Sequence, residues 1–319
     1  MVSKKKINLV SDLPSLIFHR SNPNHPDFEW VYSRDPVDAD YYVIYGVIRE
    51  FVFPSQIAPR IFVTTEPPEI FRYSKSILLR YNAVLGGDFE YLRDLPNLSV
   101  ATGLLNWSAG LARQDGVMCE TKTVETLGDF PLSQRSFGIS IVTSTKRVTK
   151  VQKERLALIE YLSRKINNLH IFGRGFEEVG DKSQVLTKYT HHLALENHKN
   201  PSFWTEKVAD AILCNTRTYY FGNESILQDF GSNAVLPLPF GSFDDVYRKI
   251  MVDLENTNLD HVVQELTRAR KYLIETANIH SRIISRISRP FTHSAADYSL
   301  RMPNHPKQLS NMLRLKFFH

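Results

Sequence analysis

Apolar residues in the first part of the chain fall into short runs: Ile7 to Val10, Tyr41 to Tyr45, Ile61 to Thr65 and Ala83 to Leu85. Each run is rich in Val, Ile, Tyr or Phe and is bounded by Asp, Pro, Gly or Asn. Strands buried on both faces of an α/β sheet read this way. The segments between them carry Pro23, Pro26, Pro54 and Pro59 and give no clean helical crossover. From 115 to 136 the sequence is polar and weakly periodic, which predicts a linker. A second series starts at Phe137, where FGISIVTS reads as a strand. Thr149 to Ile166 has the helical spacing Leu156, Ile159, Leu162. Leu169 to Phe172 and His192 to Leu195 read as strands, and Thr205 to Leu213 as a helix capped by Thr205 or the residue before it. Strands at Thr218 to Phe221 and Val235 to Leu238 follow, then helices at Asp244 to Leu254 and Leu259 to Ile287. This alternation predicts a doubly wound parallel sheet in each of two halves.

At 319 residues the chain exceeds what one core usually holds. The predicted division is 1–130, 131–290 and a basic tail, 291–319. A composition that is 42% hydrophobic and 23% charged excludes a disordered or fibrous protein. The net charge of +5 suits anionic ligands, but the cations are interleaved with acids, which argues against a nucleic-acid partner. Cys119 and Cys214 lie in no CxxC pair, so reduced thiols are expected and a zinc site is not. No run reaches the roughly 18 to 20 apolar residues of a membrane span, and MVSKKKINLV lacks the features of a secretory signal. The expectation is a soluble, cytoplasmic protein. In the tail Arg301, Lys307, Arg314 and Lys316 alternate with Leu313, Leu315, Phe317 and Phe318. That pattern fits a segment packed across the protein or a peripheral contact with an anionic membrane.

Candidate chemistry is concentrated between Leu169 and Asp245. Gly173 and Gly175 flank Arg174, so the backbone there can turn sharply and a ligand can approach closely. Thr205, Glu206 and Lys207 stand where a loop becomes a helix, an end whose free N–H groups and dipole favour anions. Arg174 and Lys207 could hold a diphosphate without a metal, leaving Glu206 for neutral hydroxyls. Taken alone, the tripeptide reads as a helix-capping Glu206 and a solvated Lys207. Arg147, Lys150, Lys153 and Arg155 form a charge cluster that reads as a solvated helix face. His191 and His192 are adjacent on a strand, point to opposite faces and make a poor metal pair. No Asp-x-Asp follows the carboxyl end of a strand, so no metal and no cofactor are expected.

The order of these elements resembles the α1,3/α1,4-fucosyltransferase family. Its pattern is a strand ending in FENS, then YVTEK opening a helix, a strand leading to glycine, and a Ser-Phe with acidic residues. Here the matching residues are Leu195-Glu196-Asn197-His198, Phe203-Trp204-Thr205-Glu206-Lys207, Gly222 and Ser242-Phe243-Asp244-Asp245. The resemblance covers the second half of the chain. It implies a GT-B architecture, two Rossmann-like domains facing a central cleft, with the C-terminal domain binding a GDP-sugar and the N-terminal domain an oligosaccharide or glycoconjugate acceptor. It also implies that Arg174 and Lys207 neutralise the diphosphate, that Glu206 and Asn197 contact donor sugar or ribose, and that Trp204 lines the donor pocket. Arg155 resembles the family's arginine after the first strand of the donor domain; Glu196 and Thr205 are further donor-site candidates.

In the first half, RIFVTTEPPEIF sets Glu66 just beyond a strand, followed by two prolines that fix the turn. The family places its general-base glutamate after a comparable strand, so Glu66 is the expected base, with Glu69 its nearest competitor. The implied reaction is one inverting displacement at the anomeric carbon of GDP-fucose. His198 and Trp204 replace the family's serine and tyrosine, and 215–218 lacks its usual proline. Another GDP-sugar, or a non-catalytic glycan- or nucleotide-binding role, therefore stays open. Neither the membrane anchor nor the stem of eukaryotic members is in the sequence, so a bacterial or viral source is expected.

Overall fold

The computed structural model describes residues 3–21, 24–48, 50–198, 200, 203–294 and 299–301. Residues 302–319, with Lys307, Arg314 and Lys316 of the expected tail, lie outside the described residues. Two compact units are present: Met1–Leu104 with His280–His319, and Leu105–Ile279.

The first unit begins with β1 (Lys5–Val10), α1 (Leu16–His19), β2 (Phe28–Val31), β3 (Tyr41–Tyr45), β4 (Glu50–Val52) and β5 (Arg60–Val63). After these come α2 (Lys75–Leu78), β6 (Ala83–Gly86) and β7 (Leu98–Val100). Six of the strands form one parallel sheet in the order β2-β1-β3-β5-β6-β7. Every residue of β5 and β6 is buried, which is why these strands appear in the sequence as unbroken apolar runs.

The second unit holds a hairpin, β8 (Leu111–Gln114) and β9 (Val117–Glu120), then β10 (Ser136–Val142), α3 (Lys150–Ser163), β11 (Leu169–Phe172), α4 (Ser183–Leu186), β12 (Tyr189–Leu195) and α5 (Glu206–Leu213). It continues with β13 (Arg217–Phe221), α6 (Ile226–Phe230), β14 (Val235–Pro237), α7 (Phe243–Asn256) and α8 (Leu259–Glu275). Its sheet is parallel, in the order β11-β10-β12-β13-β14. Side chains alternate across it. Ile139, Ile141, Leu193, Leu195 and Tyr219 pack with Leu158, Leu162, Val246 and Ile250 of α3 and α7. Ala194 and Tyr220 face Val208, Ile212, Leu266 and Leu273 of α5 and α8.

The chain then returns to the first unit through α9 (Ile279–Ile287) and β15 (Ser299–Arg301), which pairs antiparallel with β4. His280 accounts for the return: its Nδ1 lies 3.2 Å from Ser21 Oγ, and its Nε2 lies 2.9 Å from the Tyr32 hydroxyl. Arg282 donates to the Thr102 carbonyl at 2.9 Å.

Three details differ from expectation. The segment read as a linker belongs to the second unit: Val124, Leu127 and Leu132 are buried in that unit's core, and two buried carboxylates hold residues from Ser108 to Thr121. Asp210 accepts from Ser108 N–H at 2.8 Å, Ala109 N–H at 3.0 Å and the Ser108 hydroxyl at 2.7 Å. Asp181 accepts from Gly110 N–H at 2.8 Å and the Thr121 hydroxyl at 2.5 Å. Accordingly the units divide after Leu104 and after Ile279, where the sequence suggested 130 and 290. The helix expected over 259–287 is two helices, and the break between them marks the crossing. No described helix is long and apolar enough to cross a membrane.

Candidate functional site

In both sheets the chain leaves the first strand toward one edge, then crosses back to the other side. In such open sheets ligands settle beyond the carboxyl ends of the strands at that reversal. In the second unit the reversal lies between β10 and β12, whose C-terminal ends lead into Thr143 to Lys146 and Glu196 to His198.

Arg155, buried on α3, ties these two ends together. Its Nη1 donates to Asn197 Oδ1 at 2.5 Å and its Nη2 to the Ser144 carbonyl at 3.1 Å. Burial lowers the pKa of its guanidinium, partly offset by Glu196. Arg155 Nε and Thr143 Oγ1 are buried and have no hydrogen-bond partner.

The Gly-Arg-Gly turn follows β11 and lies against the same loop. Gly173 has φ +104°, and a Cβ there would fall 2.2 Å from the Thr143 carbonyl oxygen. Gly175 has φ +83°, and its Cβ would fall 2.7 Å from the Thr145 side chain. Both positions therefore exclude a side chain on conformation and on space. Thr145 N–H donates to the Arg174 carbonyl at 3.2 Å, and Arg174 lies within electrostatic reach of Lys146.

Across the β12 end, Thr205 is the N-cap of α5. Its N–H donates to Glu196 Oε1 at 2.9 Å and its hydroxyl to Glu196 Oε2 at 2.8 Å. The Glu196 side chain is fully buried, with the Tyr220 hydroxyl at 3.4 Å. A Cβ on Gly222 would lie 2.2 Å from the Tyr220 ring, so the glycine leaves room for it. Lys207 Nζ lies 3.0 Å from Thr205 Oγ1, 3.2 Å from Glu206 Oε1 and 3.7 Å from Glu196 Oε2. Lys182 Nζ lies 3.1 Å from Asp210 Oδ2 and 3.9 Å from Glu206 Oε1. Burial alone would raise the Glu206 pKa, but Lys207 and Lys182 outweigh it and pull the value down to about 2. Burial would likewise lower Lys207, and Glu206 and Glu196 raise it instead. Glu206 and Lys207 are both charged at neutral pH.

Arg155, Glu196, Asn197, Thr205, Glu206 and Lys207 are thus joined through contacts at the end of β12, and Arg174 lies on the loop packed against Thr143 and Thr145. Trp204, expected to line the donor pocket, is buried, donates its indole N–H to Asp229 Oδ2 at 2.8 Å and packs on Phe230. A large ring next to the α5 N-terminus stays out of water by turning into the core. Ser242 caps α7, and Asp244 pairs with Lys165 and Tyr161 at the surface. Arg147, Lys150 and Lys153 are exposed, as a solvated face requires, whereas Arg155 is not. His191 and His192 are buried, with pKa values lowered by burial to about 4 and about 3. Among the described residues no cluster of three His, Cys, Asp or Glu could hold a metal ion.

Lys146, Lys182 and Asp210 did not stand out in the sequence. Lys146 offered one signal, a cation four residues past the end of a buried strand in a doubly wound pattern.

Glu66 lies in the first unit, half-buried, three residues beyond β5. Its turn is fixed from two sides. Thr65 N–H donates to the Tyr73 hydroxyl at 3.0 Å, and a Cβ on Gly46 (φ +71°) would fall 2.8 Å from Thr65 Oγ1. Burial and then the Glu66 charge raise the Tyr73 phenol. Glu69, its competitor, is exposed.

No protein-family model matches the chain. An α-(1,3)-fucosyltransferase of Helicobacter pylori is 31% identical over 85 residues, 26% of this chain and 18% of that protein. The match thus spans less than a fifth of the relative's length. A crystal structure of an α1,3-fucosyltransferase superposes with a TM-score of 0.53 at 15% identity, covering 93% of this chain and 94% of the other. The fold is that of the α1,3-fucosyltransferases. A glycosyltransferase from Rickettsia africae gives the same TM-score, 0.53, at 9% identity over 89% of this chain and 97% of its own. The architecture is GT-B, with a Rossmann-like sheet in each unit. The resemblance drawn from the Glu196-Asn197 and Thr205-Glu206-Lys207 segments points to the same family as these matches.

Proposed function

We propose that the chain is an inverting, metal-independent glycosyltransferase that moves L-fucose from GDP-fucose to a hydroxyl of a glycan acceptor. The observation that carries this is the clustering of Arg155, Arg174 and Lys207 at the strand reversal of the second unit, beside the capped start of α5. A nucleoside diphosphate is the ligand that needs such charge at such a place. The α1,3-fucosyltransferase structures similar in fold include one with GDP. Here Arg174 and Lys207 would neutralise the diphosphate, and Glu206, ionised down to about pH 2, would accept from ribose or sugar hydroxyls. Asn197, held by Arg155, would orient the donor sugar.

Glu66 is the proposed base. The acceptor oxygen loses its proton to the Glu66 carboxylate as it bonds to the anomeric carbon. The bond from that carbon to the β-phosphate oxygen breaks, and GDP leaves with its charge balanced by the cations. One displacement inverts the anomeric centre. Side-chain cations supply the charge that a divalent metal would otherwise bring.

The test is calorimetric titration with GDP and GDP-fucose, with and without EDTA, beside Arg174→Ala and Lys207→Ala. Binding that survives EDTA and falls at least tenfold in the variants supports the donor site. Glu66→Gln should then keep GDP affinity and lose transfer by at least a hundredfold. No binding of guanine nucleotides to the wild type would overturn the proposal.

A further inference from the structure

We propose that Lys146 is a direct ligand of the anion bound at the end of β10, completing with Arg155 and Arg174 a three-cation cradle for a diphosphate. This rests on the reading that the site takes a nucleoside diphosphate, and it adds a residue which that reading does not include.

The loop that carries Lys146 is pinned from both sides. Arg155 Nη2 holds the Ser144 carbonyl at 3.1 Å, and the Thr145 N–H holds the Arg174 carbonyl at 3.2 Å. A Cβ on Gly175 would strike the Thr145 side chain at 2.7 Å, so the two loops touch with no room between them. Lys146 therefore leaves a fixed backbone and is half-buried, while Arg147 and Val148 beside it are exposed. An ordinary surface lysine swings into water to escape other cations. This one is kept within electrostatic reach of two guanidiniums, Arg174 from the loop after β11 and Arg155 from α3. Burial and those two charges together lower its pKa.

Holding three positive groups together costs free energy, and a bound anion removes that cost. Two further groups point to a ligand of the same kind. Thr143 Oγ1 and Arg155 Nε are both buried without a hydrogen-bond partner in this loop system. Across the site Lys207 has Glu206 at 3.2 Å and Glu196 at 3.7 Å.

The experiment titrates the full chain with inorganic pyrophosphate and with GDP, comparing wild type, Lys146→Ala, Lys146→Arg and the exposed neighbour Lys150→Ala. Lys146→Ala should weaken both ligands by about tenfold or more, while Lys146→Arg stays within a few-fold of wild type. Lys150→Ala should leave both unchanged. Wild-type affinity should also fall faster than that of Lys146→Arg as the pH rises above 9, since arginine keeps its proton there. Unchanged binding of both ligands by Lys146→Ala overturns the inference and leaves the nucleotide reading standing. Pyrophosphate binding without GDP binding, weakened in Lys146→Ala, upholds the cradle and sinks the nucleotide reading. A wild type that binds neither ligand overturns both.

Discussion

The carboxylate of Glu196 accepts both the backbone N–H and the hydroxyl of Thr205, at 2.9 and 2.8 Å. Two neighbours in the fucosyltransferase-like segment are thereby locked together, and the start of α5 is fixed relative to the end of β12. Glu196 is fully buried, and Thr205, Tyr220 and Lys207 supply the polar partners that burial demands.

Glu196→Ala removes the acceptor from two Thr205 donors and one counter-charge from Lys207. The expected loss is about 3 kcal/mol of stability, read as a lower urea midpoint at constant slope. Glu196→Gln keeps one acceptor oxygen and should lose less. Equal midpoints for Glu196→Ala and wild type would show that the contact carries no stability.

Gly173→Ala places a methyl group 2.2 Å from the Thr143 carbonyl oxygen at a φ of +104°. Backbone must move, at a cost of about 2 kcal/mol or more, and the loop carrying Lys146 moves with it. Both the melting temperature and GDP affinity should fall. Gly180→Ala is the control: its Cβ meets nothing within 4 Å, so neither measurement should shift.

Asp210 receives three hydrogen bonds from Ser108 and Ala109 and an ion pair from Lys182. Asp210→Ala leaves these donors without an acceptor and should cost about 3 to 4 kcal/mol. The hairpin of β8 and β9 should become the first site of limited proteolysis in the variant. A wild-type digestion pattern would show that Asp181 alone anchors the segment.

Burial lowers His191 to about 4, and His192 and His280 to about 3, from the ordinary value of 6.5. Each folded pKa is depressed, so below pH 6.5 the unfolded chain binds protons that the folded chain refuses. The stability associated with the neutral rings is complete above 6.5 and is lost as the pH falls toward 4 and 3. At pH 5 the loss is about 2 kcal/mol per histidine. Urea midpoints should be flat above pH 7 and fall steeply between 6.5 and 5. A flat profile across that range would contradict the burial of these rings as neutral groups.

Strands such as β5, β10 and β12 were legible from the apolar runs they bury between two helical layers, although Arg60, Ser140 and His191 are buried in them too. The helix start at Thr205 was legible too, since a cap is a local event. The hairpin after Leu105 was not, although it announces itself in Asp115-Gly116, whose φ values of 50° and 80° fit a tight two-residue turn. Its strands carry polar residues on both faces and so resemble a linker. The passage from α8 to α9 was hidden because helical periodicity runs on through it without glycine or proline. The direction of Trp204 was not legible either: its place beside the cap is sequential, but its contacts are with Phe230 and Asp229, which come later in the chain. Lys146 was missed because only folding brings it alongside Arg174.

The first unit is discontinuous, since α9 must come back to Ser21, Tyr32 and Thr102 after the whole second unit has been traversed. During synthesis the ribosome emits the first hundred residues long before the helix that seals them. The second unit, by contrast, is one unbroken stretch and can close as soon as it emerges. The Glu66 half of the protein should therefore be the last to mature and the most exposed to chaperones. A chain stalled near residue 279 should carry a finished second unit beside a first unit still sensitive to protease.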